Sequence, residues 1–444
     1  MISRRRGGIA AFLRRGGAVT SRTPLRLGGR RWAVAAPMAV NAIASGVSAS
    51  TTLLVAWGVS AAEFGRFTLV LSIALIVTVG MVMSLHFVMY QELPRARTEE
   101  HRALITTALL STLVLGTGLA LAGLLAAPAL TTVLGVDLRT LCLALALALA
   151  MAVNYLTESF LRGLRKYGLT SGLKIVVAFV YLGVSAYCLF VLDVRSVDWY
   201  LLALIGTNLL FALVSAIGFR IDPRSWSRPL ARSLYRHGAY LTALGGLSAV
   251  LFGVDVIFLN HWADPSEVGV YSIYNNFPKR LLGVVVADGI GLVLLPTLAV
   301  MDTSAALRRI GRLSPAVFAA TALLSFAASA VFFLLLRDEY PYSFGLMALS
   351  ALGIGAHTVF NLYSAALSMD GVRGAKALII AQAAAAPPVL ACQAALIAWQ
   401  GLVGGLVAFI LCNLALIAVV VIVSARVYRP RAQTPSVRHS EVRR

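Results

Sequence analysis

Five polar residues sit inside one apolar stretch, residues 269–297 (GVYSIYNNFPKRLLGVVVADGIGLVLLPT): Asn275, Asn276, Lys279, Arg280 and Asp288. The stretch is long and apolar enough to cross a bilayer, though Pro278 interrupts it. Steps of four from Asn276 reach Arg280 and Asp288, so on a helix these three share a face, with Lys279 beside them. A charge at membrane depth costs roughly 2.5–3.5 kcal/mol on insertion scales. Such a face cannot meet lipid. It requires a bundle interior, a partner carboxylate or a water-filled cavity.

Other polar residues in apolar surroundings extend the set. Asp255 lies seven residues before Trp262, about 10 Å deep at the helical rise. Arg280 lies eleven residues past Gly269, about 16 Å deep on the following antiparallel stretch. An Asp255–Arg280 or Asp255–Lys279 ion pair is therefore allowed. With two cations near one carboxylate, one is left for an anion. Glu158, one turn from Arg162, reads as a local ion pair or as a proton or cation site. Asn41, among small residues, either packs between helices or lines a polar cavity. His86 reads as a hydrogen-bonded residue near a helix end. His357 and Asn361 share a face at a spacing of four.

The elements that must position these residues are membrane helices. Of 444 residues, 59% are hydrophobic and 13% charged, far from a soluble composition. We read an all-α integral membrane protein with twelve spans, about 32–57, 65–90, 103–127, 139–161, 170–192, 199–219, 238–262, 269–297, 314–336, 345–368, 375–399 and 401–425. With the N-terminus inside, 32 of the 38 Lys and Arg fall on inside segments and 4 on outside edges. The positive-inside rule then places both termini in the cytoplasm of a multi-pass cell-membrane protein. The net charge of +20 is accounted for by this topology and by attraction to membrane lipids, so no nucleic-acid partner is expected. Cys142, Cys188, Cys392 and Cys412 are dispersed in apolar runs and form no metal pair or disulfide framework. We expect no cofactor and no metal.

Residues 1–31 and 426–444 read as basic tails, and 220–237 (RIDPRSWSRPLARSLYRH) as a basic linker ending in an interfacial helix. The linker divides an N-lobe, 32–219, from a C-lobe, 238–425. The second half repeats the first. Trp57, Glu63, Gly65 and Phe67 match Trp262, Glu267, Gly269 and Tyr271 with one residue of gap, and LPRA at 93–96 echoes LPTLA at 295–299. Six spans per half make the repeat parallel, about an axis along the membrane normal.

The turn E-F-G-x-F after the first span, the segment ELPRAR and the later D-V-I-F-L-N…E-V-G-V-Y together resemble bacterial polysaccharide-unit flippases. These Wzx-like O-antigen and exopolysaccharide translocases belong with lipid II flippases and multidrug extruders in the multidrug/oligosaccharidyl-lipid/polysaccharide transporter superfamily. The resemblance covers roughly residues 30–425. It implies two six-helix lobes, a pseudo-two-fold axis, alternating access and an oligosaccharide cargo on undecaprenyl pyrophosphate. It also implies loading from the cytoplasmic side, with glycosyltransferases and a polymerase of the same pathway as partners. In that reading Arg280 and Lys279 supply cations for the pyrophosphate, while Asn275, Asn276, Asn41, His357 and Asn361 line the lumen. Asp255, Asp288 and Glu158 pair or couple. The first half shows no basic residue inside a span, unlike lipid II flippases, which carry cavity arginines in both lobes. Extruders commonly keep a carboxylate in a cation site in one lobe, and here the first half has only Glu158, near the inner edge. A cation-coupled multidrug or metabolite exporter is therefore the alternative. A membrane glycosyltransferase would need a large outside loop, and no paired-carboxylate or nucleophile motif appears, so no enzyme is expected.

Overall fold

The apolar runs become helices because a helix bonds each interior N–H and C=O within its own segment, as a bilayer requires. The computed structural model describes residues 31–219, 221–279, 301–335 and 340–428. Within these the helices are α1 (Arg31–Gly58), α2 (Ala61–Val82), α3 (Leu85–Glu92), α4 (Thr98–Leu125), α5 (Ala127–Leu134), α6 (Leu138–Gly163), α7 (Tyr167–Phe190) and α8 (Val197–Ile217). They continue with α9 (Arg228–Trp262), α10 (Pro265–Tyr271), α11 (Thr303–Leu335), α12 (Phe344–Met369) and α13 (Val372–Val427). Side chains set several starts. Ser60 accepts from the Glu63 N–H, Asp137 from the Thr140 N–H and Ser343 from the Leu346 N–H, each satisfying an amide without a helical partner.

Ten of these helices are long and apolar enough to cross a membrane. The 56-residue α13 is two spans joined at Gly401, whose φ of 52° and ψ of −126° break the helix. The ten thus account for eleven of the twelve expected spans. The eighth begins with α10 and a π turn, Ser272–Asn276. Its continuation, including Arg280 and Asp288, lies outside the described residues, as do both expected tails apart from a few residues at their inner edges.

Three boundaries differ from expectation. The second span is broken at Met83 and Ser84, both left-handed at φ 44° and 54°. No glycine or proline marks the break. The reason is tertiary: a Cβ on Gly238 of α9 would lie 2.6 Å from the Met83 carbonyl, so two backbones meet there. The expected interfacial helix of the linker is continuous with span seven, making α9 a 35-residue helix. The fifth span starts earlier, at Tyr167 rather than 170, so Lys174 lies three residues further along it than expected.

Below, the end of the bundle carrying the connections 91–102, 164–166, 218–227 and 370–371 is called the basic end. At the opposite end one apolar core is built from both halves. It joins Val55, Phe64, Phe67 and Tyr200 to Leu259, Tyr271, Tyr274, Met347 and Leu402. The Tyr340 hydroxyl donates to the Ala56 carbonyl (3.0 Å), and Asn260 Nδ2 donates to the carbonyls of Leu134 (3.1 Å) and Gly135 (3.0 Å). Toward the basic end the core divides. One cluster, around Leu251, Ile310, Phe360, Leu378 and Leu416, is drawn from the second half. The other, around Leu85, Met89, Leu104, Phe160 and Phe211, is drawn from the first half and takes in Leu234 from the start of α9.

The repeated motif performs the same work twice. Glu63 Oε2 accepts from the Val197 N–H (2.8 Å), and Glu267 Oε2 accepts from the Leu402 N–H (3.0 Å). Each glutamate thus caps the helix that forms the sixth span of its half. The matched glycines meet each other: a Cβ on Gly65 would lie 2.9 Å from the Gly269 nitrogen and 2.4 Å from the Pro265 carbonyl oxygen.

Candidate functional site

The polar residues of the second half gather in two linked groups. In the first, Asp255 on α9 is 2% exposed and accepts from the Tyr271 hydroxyl at 2.5 Å and from the Val256 N–H at 2.9 Å. Asn275 Nδ2 donates to the same tyrosine oxygen at 2.7 Å. The chain Asn275–Tyr271–Asp255 is the local consequence of spacing: 271 and 275 are one turn apart, at the entry to the π turn. A π turn inserts an extra residue into the helical count. The four-step register expected from Asn276 to Arg280 and Asp288 begins where this turn ends and lies outside the described residues.

The expected pairing of Asp255 with Lys279 is not what the structure contains. Among the described residues no ion pair includes Asp255; a phenol and an amide serve its carboxylate instead. The physical reason is proximity: Tyr271 comes from the adjoining turn of the hairpin and reaches the carboxylate first. The pairing with Arg280 lies outside the described residues.

Lys279 belongs to the second group. Its Nζ donates to the Phe252 carbonyl at 3.2 Å and lies 5.0 Å from the Phe409 ring centroid and 5.7 Å from that of Phe252. Cation–π attraction and a backbone acceptor can hold an ammonium away from bulk water. His357 packs edge-on against Phe252, with centroids 4.7 Å apart, and its Nδ1 lies 3.0 Å from Asn413 Oδ1. Four residues on, Asn361 is exposed and Asn276 is half-buried. Lys279 and His357 are thus brought into one nook lined by α9, α12 and the second half of α13, while Asn361 stays outside that contact set.

The first half carries a second charged station. Glu158 pairs with Arg162, as expected, and also with Lys174 Nζ at 2.7 Å. Lys174 corrects the expectation that no basic residue lies inside a span of this half: it sits seven residues into α7, about 10 Å along the helix. Two cations around one carboxylate leave a net positive charge. His86 and Tyr90 lie within electrostatic reach of Glu158, and the buried His86 Nδ1 has no hydrogen-bond partner among the described residues. Nearby, Asn154 Nδ2 donates to Asn208 Oδ1 at 2.7 Å. Asn41 is half-buried, and its Oδ1 has no partner among the described residues.

Sequence reasoning passed over Tyr271, Phe252, Phe409 and Asn413. Tyr271 was in view as the counterpart of Phe67, and that pairing holds a signal: the second half adds a hydroxyl where the first has none. The aromatic pair and Asn413 leave no comparable mark, since they meet Lys279 and His357 only through packing of distant spans.

Residues 33–301 match the family described as polysaccharide biosynthesis protein. Comparison with curated proteins finds no match. Among solved structures, the chain is similar to an inward-facing multidrug resistance MATE family transporter of the MOP superfamily. The two share 15% identity, cover 88% of this chain and 94% of that one, and have a TM-score of 0.59. It is also similar to the lipid II flippase MurJ in an inward closed conformation, at 12% identity, 87% of each chain and a TM-score of 0.57. A third is a MOP superfamily transporter from Pyrococcus furiosus, at 15% identity, 89% and 95% coverage and a TM-score of 0.53. At these identities the likeness is one of fold: a two-lobe, all-helical membrane architecture.

Proposed function

The chain belongs to the polysaccharide biosynthesis protein family, and from that premise we propose that it is a flippase. It carries a polyprenyl-pyrophosphate-linked oligosaccharide from the inner to the outer leaflet of the cytoplasmic membrane by alternating access. The observation that carries this reading is the division of the core: one core shared by both halves at one end, separate cores at the basic end. Halves joined at one end and separately packed at the other suit a carrier open toward its basic end. That end is cytoplasmic by the positive-inside rule, with both termini on that side. The lobes are 32–219 and 238–425, joined by 220–237. A pyrophosphate head and a hydroxyl-rich sugar are costly to pass through hydrocarbon. Lys279 and Arg280 supply charge to the head, while Asn276, Asn41, His357 and Asn361 offer polar contacts to the sugar.

The cation-coupled exporter fits less well. It needs a carboxylate able to take a cation in the first lobe, and Glu158 is already held by Arg162 and Lys174. The test is flipping of a lipid-linked oligosaccharide in reconstituted vesicles. Lys279→Ala and Arg280→Ala should each lower the maximal rate while leaving protein level and melting temperature near wild type. Wild-type flipping of the lipid-linked sugar no faster than empty vesicles, together with sodium- or proton-driven export of an organic cation, would overturn the assignment.

A further inference from the structure

A cavity of about 710 Å³ opens on the flank of the first half, away from the polar groups described above. Its walls are Met83 at the break after α2, Leu110, Val114 and Leu115 from α4, and Trp226 and Tyr235 from the linker and the start of α9. The linker crosses α4 near Thr106 to Ser111. There the Asp222 and Ser227 N–H groups donate to Thr106 and Thr107, and Trp226 Nε1 donates to Ser111 (3.1 Å). From that crossing the groove runs deeper along α4 to Leu115. Its edge is open: Val114 is 75% exposed.

The rim is as basic as the walls are apolar. Arg224, Arg228 and Arg232 are exposed, the last two a turn apart on the α9 face next to Ala231 and Tyr235. The linker's one carboxylate, Asp222, is neutralised by Arg102 at 3.2 Å. A dry groove that runs inward from a cationic rim at the inner leaflet matches a hydrocarbon chain joined to an anionic head.

We propose that this groove is a resident site for an anionic phospholipid. One acyl chain lies along α4 from Leu110 to Leu115, and the phosphate sits against Arg224, Arg228 and Arg232. The occupant is a bilayer phospholipid rather than cargo because α9, from Gly238 to Gly253, packs against the last part of α2 and Met83 beyond it. Cβ atoms on Gly238, Gly245 and Gly253 would meet Met83, Val79 and Ile76 within 2.6 to 3.7 Å. That seam separates the groove from the space between the lobes. The site also rests on the segment that joins the lobes, since Leu234 of α9 is buried in the first-half core. A bound lipid therefore fastens the linker to α4.

Trp226 reports on the site. The full-length protein in nanodiscs is titrated with phosphatidylglycerol or phosphatidylcholine carrying brominated chains, and the Trp226 signal is taken as the difference from Trp226→Phe. The phosphatidylglycerol should half-quench Trp226 at a several-fold lower mole fraction. An arginine near an anionic surface is worth about 1 kcal/mol, roughly fivefold in affinity. Arg224→Gln, Arg228→Gln and Arg232→Gln together should therefore erase the preference, as should high salt. Ala231→Leu, which narrows the groove, should reduce quenching by both lipids. Equal quenching by the two lipids, or a preference unchanged in the triple variant, would overturn the proposal. So would undiminished quenching in a folded Ala231→Leu protein, or displacement of phosphatidylglycerol by a brominated polyprenyl phosphate at lower mole fraction. Should Ala231→Leu not fold, the surface arginine set still decides. No transport is measured, so failure here and failure of the flippase reading are separate results.

Discussion

Adding one methyl group at the contact between the matched glycines should change which end of the protein is open. A Cβ on Gly269 would lie 1.9 Å from the Ala61 carbonyl oxygen and 2.8 Å from its carbon. Real Cβ atoms essentially never approach below 3.0 Å, so α2 and α10 must part by about 1 Å. The obstacle is backbone, so no rotamer change relieves it. Overpacking of this kind costs about 1–3 kcal/mol. If the two halves separate here during transport, the penalty falls on the closed arrangement alone. A shift of that size corresponds to roughly 5- to 150-fold in population. Gly65→Ala should act in the same direction but less, since its Cβ would lie 2.4 Å from the Pro265 oxygen. Spin labels at Val133 and Tyr342, both exposed near this end, read the separation in a cysteine-free background. Gly269→Ala should move the distance distribution outward, and Gly65→Ala should move it part of the way. A folded Gly269→Ala protein with the wild-type distribution would refute the reasoning, as would a larger effect from Gly65→Ala. If Gly269→Ala does not fold, Gly65→Ala alone must show the shift.

Three further outcomes are expected. Tyr271→Phe removes the phenol that serves the buried Asp255 carboxylate and should destabilise the detergent-purified protein by about 1–3 kcal/mol. Tyr271→Phe combined with Asp255→Asn should recover part of that loss in thermal melts, and a neutral single variant would contradict the assignment. Glu63→Ala and Glu267→Ala should each lower stability by about 1 kcal/mol, because each glutamate caps an equivalent helix. A loss confined to one of them would count against the functional symmetry of the repeat. In intact cells, a cysteine at Ser266 should react with an impermeant thiol reagent while one at Arg228 stays protected, and the reverse pattern would sink the proposed orientation.

Much of the architecture was legible from composition and spacing. A bilayer forces each long apolar run to satisfy its own backbone, so the existence of the spans followed from length and hydropathy alone. The parallel repeat was visible in Trp57, Glu63 and Gly65 against Trp262, Glu267 and Gly269. The structure then supplied the reason for the motif, namely a capped sixth helix and a close glycine contact in the shared core. Glu158 with Arg162 was equally readable, because a local ion pair depends on helical spacing and nothing else.

What spacing could not settle was every contact that depends on one helix finding another. The Met83–Ser84 break answers to the approach of α9 more than 150 residues later in the chain. The π turn at Ser272–Asn276 sets the entry to the eighth span, where Asn275 meets Tyr271, and no residue type in that stretch announces it. Asp255 could have met a cation by depth, yet it takes Tyr271 from the adjoining turn. Lys174, counted with the inside segments, reaches Glu158 through the packing of α7 beside α6. Helical periodicity and apolar length are properties of a segment, and the sequence states them directly. The partner of a buried polar group is chosen by competing neighbours once the helices are packed, and that choice has no local signature.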